Sequence, residues 1–262
     1  MANNYTLGRG EVHFSRFLTG TQTPAGFFYL GNTPEFNLTI EADELEHFSS
    51  DEGIRELDDS VPLEVTRSGS LITDNIDPAN VALFFFGSAT ALTQVVVASQ
   101  EETLNNIIAG HSYQLGRTPS NPSGYMGINP TGFAVDTLAG VGGTPLVVDV
   151  DYTMDFNLGV ITFIAGSLVA VTDAEITVTY AVRGSTRSRV ISGSSPVEGA
   201  MMYISRNPKG TDSKIYMPYV KLSPNGDYAL KGDDWQQIPL SVSVLKPTVG
   251  EAIYRDGLPA YA

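Results

Sequence analysis

The chain has 262 residues, 42% of them hydrophobic and 17% charged, with a formal net charge of −14. That balance excludes a disordered polymer, and it argues against nucleic-acid binding, because a phosphate backbone needs Lys and Arg partners. The absence of cysteine excludes disulfides, thiolate metal sites and Cys nucleophiles.

The first residues, MANNYTLGRGEVHF, contain no basic stretch followed by an apolar run, so no signal peptide is expected. No run of about 18 apolar residues occurs, so no transmembrane helix is expected either. The chain is expected to be made and folded in a cytoplasm. LGRGEVHF lacks the third glycine of a dinucleotide fingerprint and precedes a strand rather than a helix.

Apolar residues then recur every second position. EFNLTIE places Phe36, Leu38 and Ile40 on one face, and PLEVTR does the same with Leu63 and Val65. Alternation of this kind marks half-buried strands. Between them lies EADELEHFSSDEGIRELDDS, residues 41–60, with nine acidic residues among twenty. As a calcium loop counted from Asp51 it fails, since the third and fifth positions are Gly53 and Arg55. Paired carboxylates for glycoside hydrolysis need one apolar and one polar environment, and a run this hydrophilic reads as a solvated loop.

Asp77-Pro78 supplies an N-cap and a first-turn proline, ANVALFFF follows, and Gly87 closes a short helix. Leu83, Phe84 and Phe86 are expected to pack it on a sheet. TQVVVAS is strand-like, whereas SQEETLNNIIAG offers a capping box at Ser99 and Glu102 and a helical face at Leu104, Ile107 and Ile108. Strand and helix both remain open there. Pro, Gly and Asn crowd residues 117–145, which reads as a long loop opening an insertion over 117–183.

Beyond it, LVVDVDYTMDFNLGVITFI and EITVTYAV are expected to form a meander, with a turn at Asn157-Leu158-Gly159. Asp149, Asp151 and Asp155 miss calcium spacing and read as the polar face of one strand. RGSTRSR carries the main basic cluster, Arg183, Arg187 and Arg189, which suits a rim of salt bridges to an acidic neighbour. Pro224-Asn225-Gly226-Asp227 reads as a hairpin turn between KIYMPYVKL and YALKG, and PLSVSVL as a strand with Leu240, Val242 and Val244 on one face. Trp235, the only tryptophan, reads as a core or interface aromatic rather than a ligand platform. Residues 247–262 read as an extended C-terminal arm, with Tyr254, Leu258 and Tyr261 as contacts or as parts of a frayed tail. His13, His47 and His111 form no HExxH, and no GxSxG or GxxxxGK occurs.

GRGEVHFSRF, YLGNTPEFNLTIEADELEHFSSDEGIRELDDSVPLEVTRSGSLITDNIDPANVALFFFG, YQLG at 113–116, DYTMDFNLGVITF and MPYVKLSPNGDYALKGDDWQQI occur in an order that resembles the tail tube (major tail) proteins of long-tailed, non-contractile bacteriophages. The resemblance implies a mainly β fold: a β-sandwich flanked by one short helix, a single tail-tube domain over 1–262 with the β-rich middle region inserted. It implies homo-hexameric rings stacked into a tube through which DNA leaves the capsid without specific binding. It also implies a virion location, no membrane, no catalysis and no cofactor or metal. Tail terminator, tail tip and tape-measure proteins would be its partners. By position, the acidic stretch corresponds to the family's ring-to-ring contact loop, here Glu46, Asp51, Glu52, Arg55, Glu56, Asp58 and Asp59. Candidate basic partners are Arg183, Arg187, Arg189, Arg206 and Lys209. The rival readings are a carbohydrate- or receptor-binding β-sandwich of a tail tip, using the middle region with Trp235 or nearby tyrosines, and a hydrolase using the carboxylates.

Overall fold

Val12 and Phe14 are buried along β1 (Gly10–Arg16), while the residues beside them, Glu11 and His13, are only half-buried. Ser15, next to Phe14, is buried as well, so burial on this strand is not confined to one face. The structure, a computed structural model, describes residues 5–51, 53–137, 146–166 and 175–258. It is mainly β, and among the described residues there is one α-helix. That helix is too short to cross a membrane.

After β1 come β2 (Phe28–Tyr29), β3 (Glu35–Ser49), β4 (Glu56–Thr73) and α1 (Pro78–Phe84). β5 (Ser88–Gln94), β6 (Val97–Leu104), β7 (Ser112–Gln114), β8 (Ile128–Thr137), β9 (Tyr152–Asp155), β10 (Val160–Phe163) and β11 (Ile176–Val182) follow. The chain ends through β12 (Ser185–Ile191), β13 (Val197–Ser205), β14 (Ser213–Pro224), β15 (Ile238–Val244) and β16 (Tyr254–Gly257).

Two compact units divide this chain. The first is Met1–Thr90 with Arg189–Ala262, and the second is Ala91–Ser188. The expected insertion at 117–183 within one tail-tube domain is thereby redrawn. β6 lies before the Pro- and Gly-rich stretch yet already pairs with β11. The composition change marks a loop inside the second unit, not its border.

The first unit is built on one antiparallel sheet in the order β2-β1-β13-β14-β15-β4-β3, with β16 added to β14. Val12, Phe14, Leu71, Met201, Met217, Leu222, Leu240 and Val242 form its core with Leu83 of α1. Each such side chain contributes about 1.5–3 kcal/mol on full burial. Asp77 caps α1 by accepting from Ala79 N at 2.8 Å. Asn80, buried on the same helix, donates to Leu30 O and Asn75 O, and its Oδ1 has no partner among the described residues.

The helix ends differently from the expectation. Phe86, not Gly87, takes the left-handed conformation, at φ 54°, and Gly87 N closes the turn on Ala82 O at 2.8 Å. Gly87 is required for space. A Cβ there would collide with the Ile191 carbonyl, because the strap of residues 191–193 crosses the helix end and Gly193 N donates to Phe85 O. Arg16 donates to Gly87 O at 2.7 Å, and burial holds its guanidinium below the usual arginine range. Gly87→Ala is expected to destabilise the first unit by about 1–3 kcal/mol, because the obstacle is backbone and cannot rotate away. Urea unfolding should register this as a lower midpoint at unchanged slope.

The second unit has its own core, Leu115, Ile128, Ile161, Phe163, Ile176, Val178 and Tyr180. Two three-stranded sheets carry it, β7-β10-β9 and β6-β11-β8. The expected single meander is thus split, since β11 joins β6 and β8 rather than β10. The Asn157–Gly159 turn does form: Asp155 Oδ1 accepts from Asn157 N and Leu158 N, and Gly159 sits at φ 71°. Asp149 and Asp151 are not on a strand. Asp149 has φ 64° in a turn, and buried Asp151 accepts from Val147 N at 2.8 Å. Of SQEETLNNIIAG, residues Ser99–Leu104 belong to β6 and the rest is neither strand nor helix. Glu102 makes no capping box, because its Oε2 accepts from Tyr180 OH at 2.7 Å and Gly116 N at 2.8 Å. Burial, then that hydrogen bond, pushes the Tyr180 hydroxyl far above the ordinary tyrosine range.

β5 and β12 pair with each other as a two-stranded ribbon, and the chain passes between the units along it.

Candidate assembly surface

The acidic run is not a loop. β3 continues through Ser49 and β4 begins at Glu56, with the ladder intact except for bulges at Asp43/Glu44 and His47/Phe48. Repulsion fails to open this ribbon because its carboxylates are solvated on exposed strands, and every rung adds backbone hydrogen bonds. Glu46, Glu56, Asp58 and Asp59 are therefore strand residues. Asp51 and Arg55 sit in the tip, and Glu52 lies outside the described residues. Arg55, the one fixed positive charge in the acidic run, has acids of its own loop or of a neighbouring copy as possible partners. Among the described residues it makes no ion pair, and its guanidinium lies 5.2 Å from the centre of the Phe48 ring. His47 Nδ1 and Asp58 Oδ1 meet at 2.5 Å across the ribbon.

The ribbon's two faces differ. Leu38 is opposite Gly69, Ile40 opposite Arg67, and Ala42 opposite Val65. Directly opposed residues share a face, and this face is the outward continuation of the one holding Leu71 and Phe36 over the core. Nothing covers it among the described residues: Ile40 is 63% exposed and Leu63 64%. The other face carries Asn37, Thr39, Glu41, Asp43 and Glu64. β3 is also the last strand of its sheet, so its outer row of N–H and C=O groups has no strand partner among the described residues. Long bare edges of this kind are templates for pairing with another chain.

At the foot of the ribbon the sheet curls until the Phe36 and Tyr203 rings stand 6.1 Å apart. A groove of about 650 Å³ opens there, floored by Val12, Phe36, Leu38, Tyr203 and Ile215. Arg9 stands on its rim, and Arg206 is bonded to Arg9 through backbone, with its guanidinium 3.7 Å from Glu11. Lys209 approaches the Tyr5 ring at 5.8 Å. Neither Arg9 nor Lys209 has a carboxylate within ion-pair distance among the described residues.

The PNGD turn leads into a long loop rather than a tight hairpin. The return strand starts at Ile238, not Tyr228, because Tyr228 packs its ring on Phe84 and Phe85, 5.7 and 6.5 Å away. Leu230 and Trp235 project from this loop, 73% and 93% exposed. The remaining basic candidates sit elsewhere. Arg183 follows β11, its N donating to Gly127 O. Arg187 and Arg189 lie on β12, and Arg187 reaches Gln94 Oε1 at 3.2 Å. The C-terminal arm is docked, not extended: β16 pairs with β14, so Tyr254 lies opposite Tyr216, and Leu258 N donates to Asp212 O. Tyr261 lies outside the described residues.

In the second unit, Glu102, Tyr113, Gln114, Arg117, Pro119 and Pro122 line a groove of about 640 Å³. No cluster of three or more His, Asp or Glu suited to a metal occurs among the described residues. The sequence reading named the charges of the ribbon but missed its apolar face. The signal was present in Leu38, Ile40, Leu63 and Val65, whose alternation was read as that of half-buried strands although the face they form is exposed.

No curated protein matches the chain. Residues 5–252 match the family described as "Protein of unknown function UCP028589", and with nearly the whole sequence covered, the chain belongs to that family.

Proposed function

We propose that this protein is a self-assembling structural subunit: the building block of a phage tail tube, stacked as rings that enclose the path of DNA out of the capsid. One observation carries the reading. The β3–β4 ribbon leaves its sheet with an uncovered apolar face and a bare outer edge, and another copy of the chain is the partner that would cover both. Head-to-tail contacts of this sort close into rings or propagate as filaments. Six copies per ring, the virion location, the absence of catalysis, and the terminator, tip and tape-measure partners follow from the resemblance in sequence pattern. The net charge of −14 supports DNA passage without sticking, because repulsion screened over about 8 Å acts only close to a wall.

A second reading, carbohydrate binding by the second unit, draws on the groove beside Tyr113, Pro119 and Pro122. Electron microscopy of the concentrated protein separates the two. Stacked rings or tubes are the expected result. A protein that stays monomeric at every concentration and binds glycan would replace the first reading with the second.

A further inference from the structure

We propose that Trp235, with Leu230 of the same loop, is an anchor that seats in the groove lined by Val12, Phe36, Leu38, Tyr203 and Ile215 on a second copy of the chain. The inference rests on the assembly reading and names a knob and a hole within it. Three observations support the pairing.

The first is the cost of the free state. Trp235 is 93% exposed although it is the largest apolar side chain available and the only tryptophan in the sequence. Its loop is not a loose tether. Tyr228 clamps it on α1, Tyr228 OH meets Gln236 Oε1 at 3.4 Å, and Gln236 Nε2 donates to Leu230 O at 3.2 Å. An indole presented on a braced loop loses little freedom on docking, which is how aromatic anchors come to dominate interfaces.

The second is the shape and chemistry of the groove. Val12, Phe36, Leu38, Tyr203 and Ile215 give it an aromatic and aliphatic part, Arg9, Asn32, Glu35 and Asn37 give it a polar one, and its volume of about 650 Å³ exceeds what one indole fills, leaving room for Leu230 as well. The third is charge. Asp233 and Asp234 precede the tryptophan and make no ion pair among the described residues, and Arg9, which lines the groove together with Glu35, makes none with a carboxylate. The Arg9 guanidinium on the groove rim is placed to meet the two carboxylates that precede the knob.

Because Trp235 is the only indole, its fluorescence reports this contact alone. Assembly of the wild-type chain should move the emission to shorter wavelength and protect it from iodide quenching. Trp235→Ala changes a side chain that supports no part of the fold, so the subunit should still fold. Its critical concentration for assembly should rise by ~30-fold or more, the factor that corresponds to losing an interface hot spot. Trp235→Phe should recover part of that loss. With benzoylphenylalanine at position 235, irradiated assemblies should give cross-links to peptides holding Gly8–Val12, Phe36–Leu38 or Tyr203 of another copy. Tubes that form with Trp235 still quenchable, or cross-links that fall outside the groove, overturn the anchor and leave the assembly reading standing. A chain that forms no assembly at all removes both.

Discussion

Replacing Ser49–Glu56 with Asn-Gly is expected to give a subunit that folds as before and no longer assembles. The change is possible because Phe48 and Leu57 face each other in the ladder, so a two-residue turn can join them without altering the register below. What is lost is local: the exposed Ile54, and the stacking of Arg55 on Phe48, which at an exposed site is worth about 0.5–1 kcal/mol. None of the removed residues belongs to the core of the first unit. Thermal unfolding should therefore shift by no more than a few degrees, while sedimentation and electron microscopy should find subunits where the wild type gives tubes. Assembly at the wild-type concentration would show that the ribbon tip, with Asp51, Ile54 and Arg55, is not part of the ring-to-ring contact that the sequence resemblance implies.

Excision of Ala91–Ser188, with Thr90 joined to Arg189 through a short turn, is expected to leave a first unit that folds and still assembles. The two cores share no residue, so removing one withdraws no buried side chain from the other. The cut falls within the β5–β12 ribbon, where the Thr93 and Thr186 hydroxyls stand 3.5 Å apart, so the new junction spans strands that already lie side by side. Calorimetry of the whole chain should resolve two transitions, and the excised chain should retain one. An excised chain that is insoluble, or that melts without cooperativity, would mean that the second unit supports the fold of the first.

Much of this architecture can be read from alternation. Phe36, Leu38 and Ile40, the pair Leu63 and Val65, and Leu240, Val242 and Val244 all fall on strands, because a two-residue period puts alternate side chains on one face of a strand, whether that face is buried, as at Leu240 and Val242, or left open, as at Ile40 and Leu63. The cap at Asp77 was equally readable, since its hydrogen bond to Ala79 is local. The failures share a cause: the deciding contact is distant in sequence. SQEETLNNIIAG carries helical spacing, but Glu102 is claimed by Tyr180, seventy-eight positions away. The strand after Asn225-Gly226 starts late because Tyr228 is claimed by the aromatic pair ending α1. Gly87 was read as a C-cap by type, whereas the crossing strap at Ile191 is what fixes it. The acidic run misled in another way. Its charges were read as a loop signal, though charge on a strand exposed on both faces costs little. The candidate surface was half legible: the sequence located the ribbon, and only exposure in the folded chain separated its sticky face from its wet one.

The carboxylates along the ribbon have a role apart from any partner. An arm with a bare edge and exposed Ile40, Leu45, Leu57 and Leu63 has the ingredients of an aggregating strand. Glu41, Asp43, Glu44, Glu46, Asp58, Asp59 and Glu64 interrupt every flat stretch of it, and the two bulges twist the ladder between them. Charges so placed act as gatekeepers. They make an indiscriminate stack of arms repulsive while leaving open a docking site that supplies both an apolar seat and compensating cations. Under the assembly proposed above, the negative run would govern the difference between polymerising in register and precipitating.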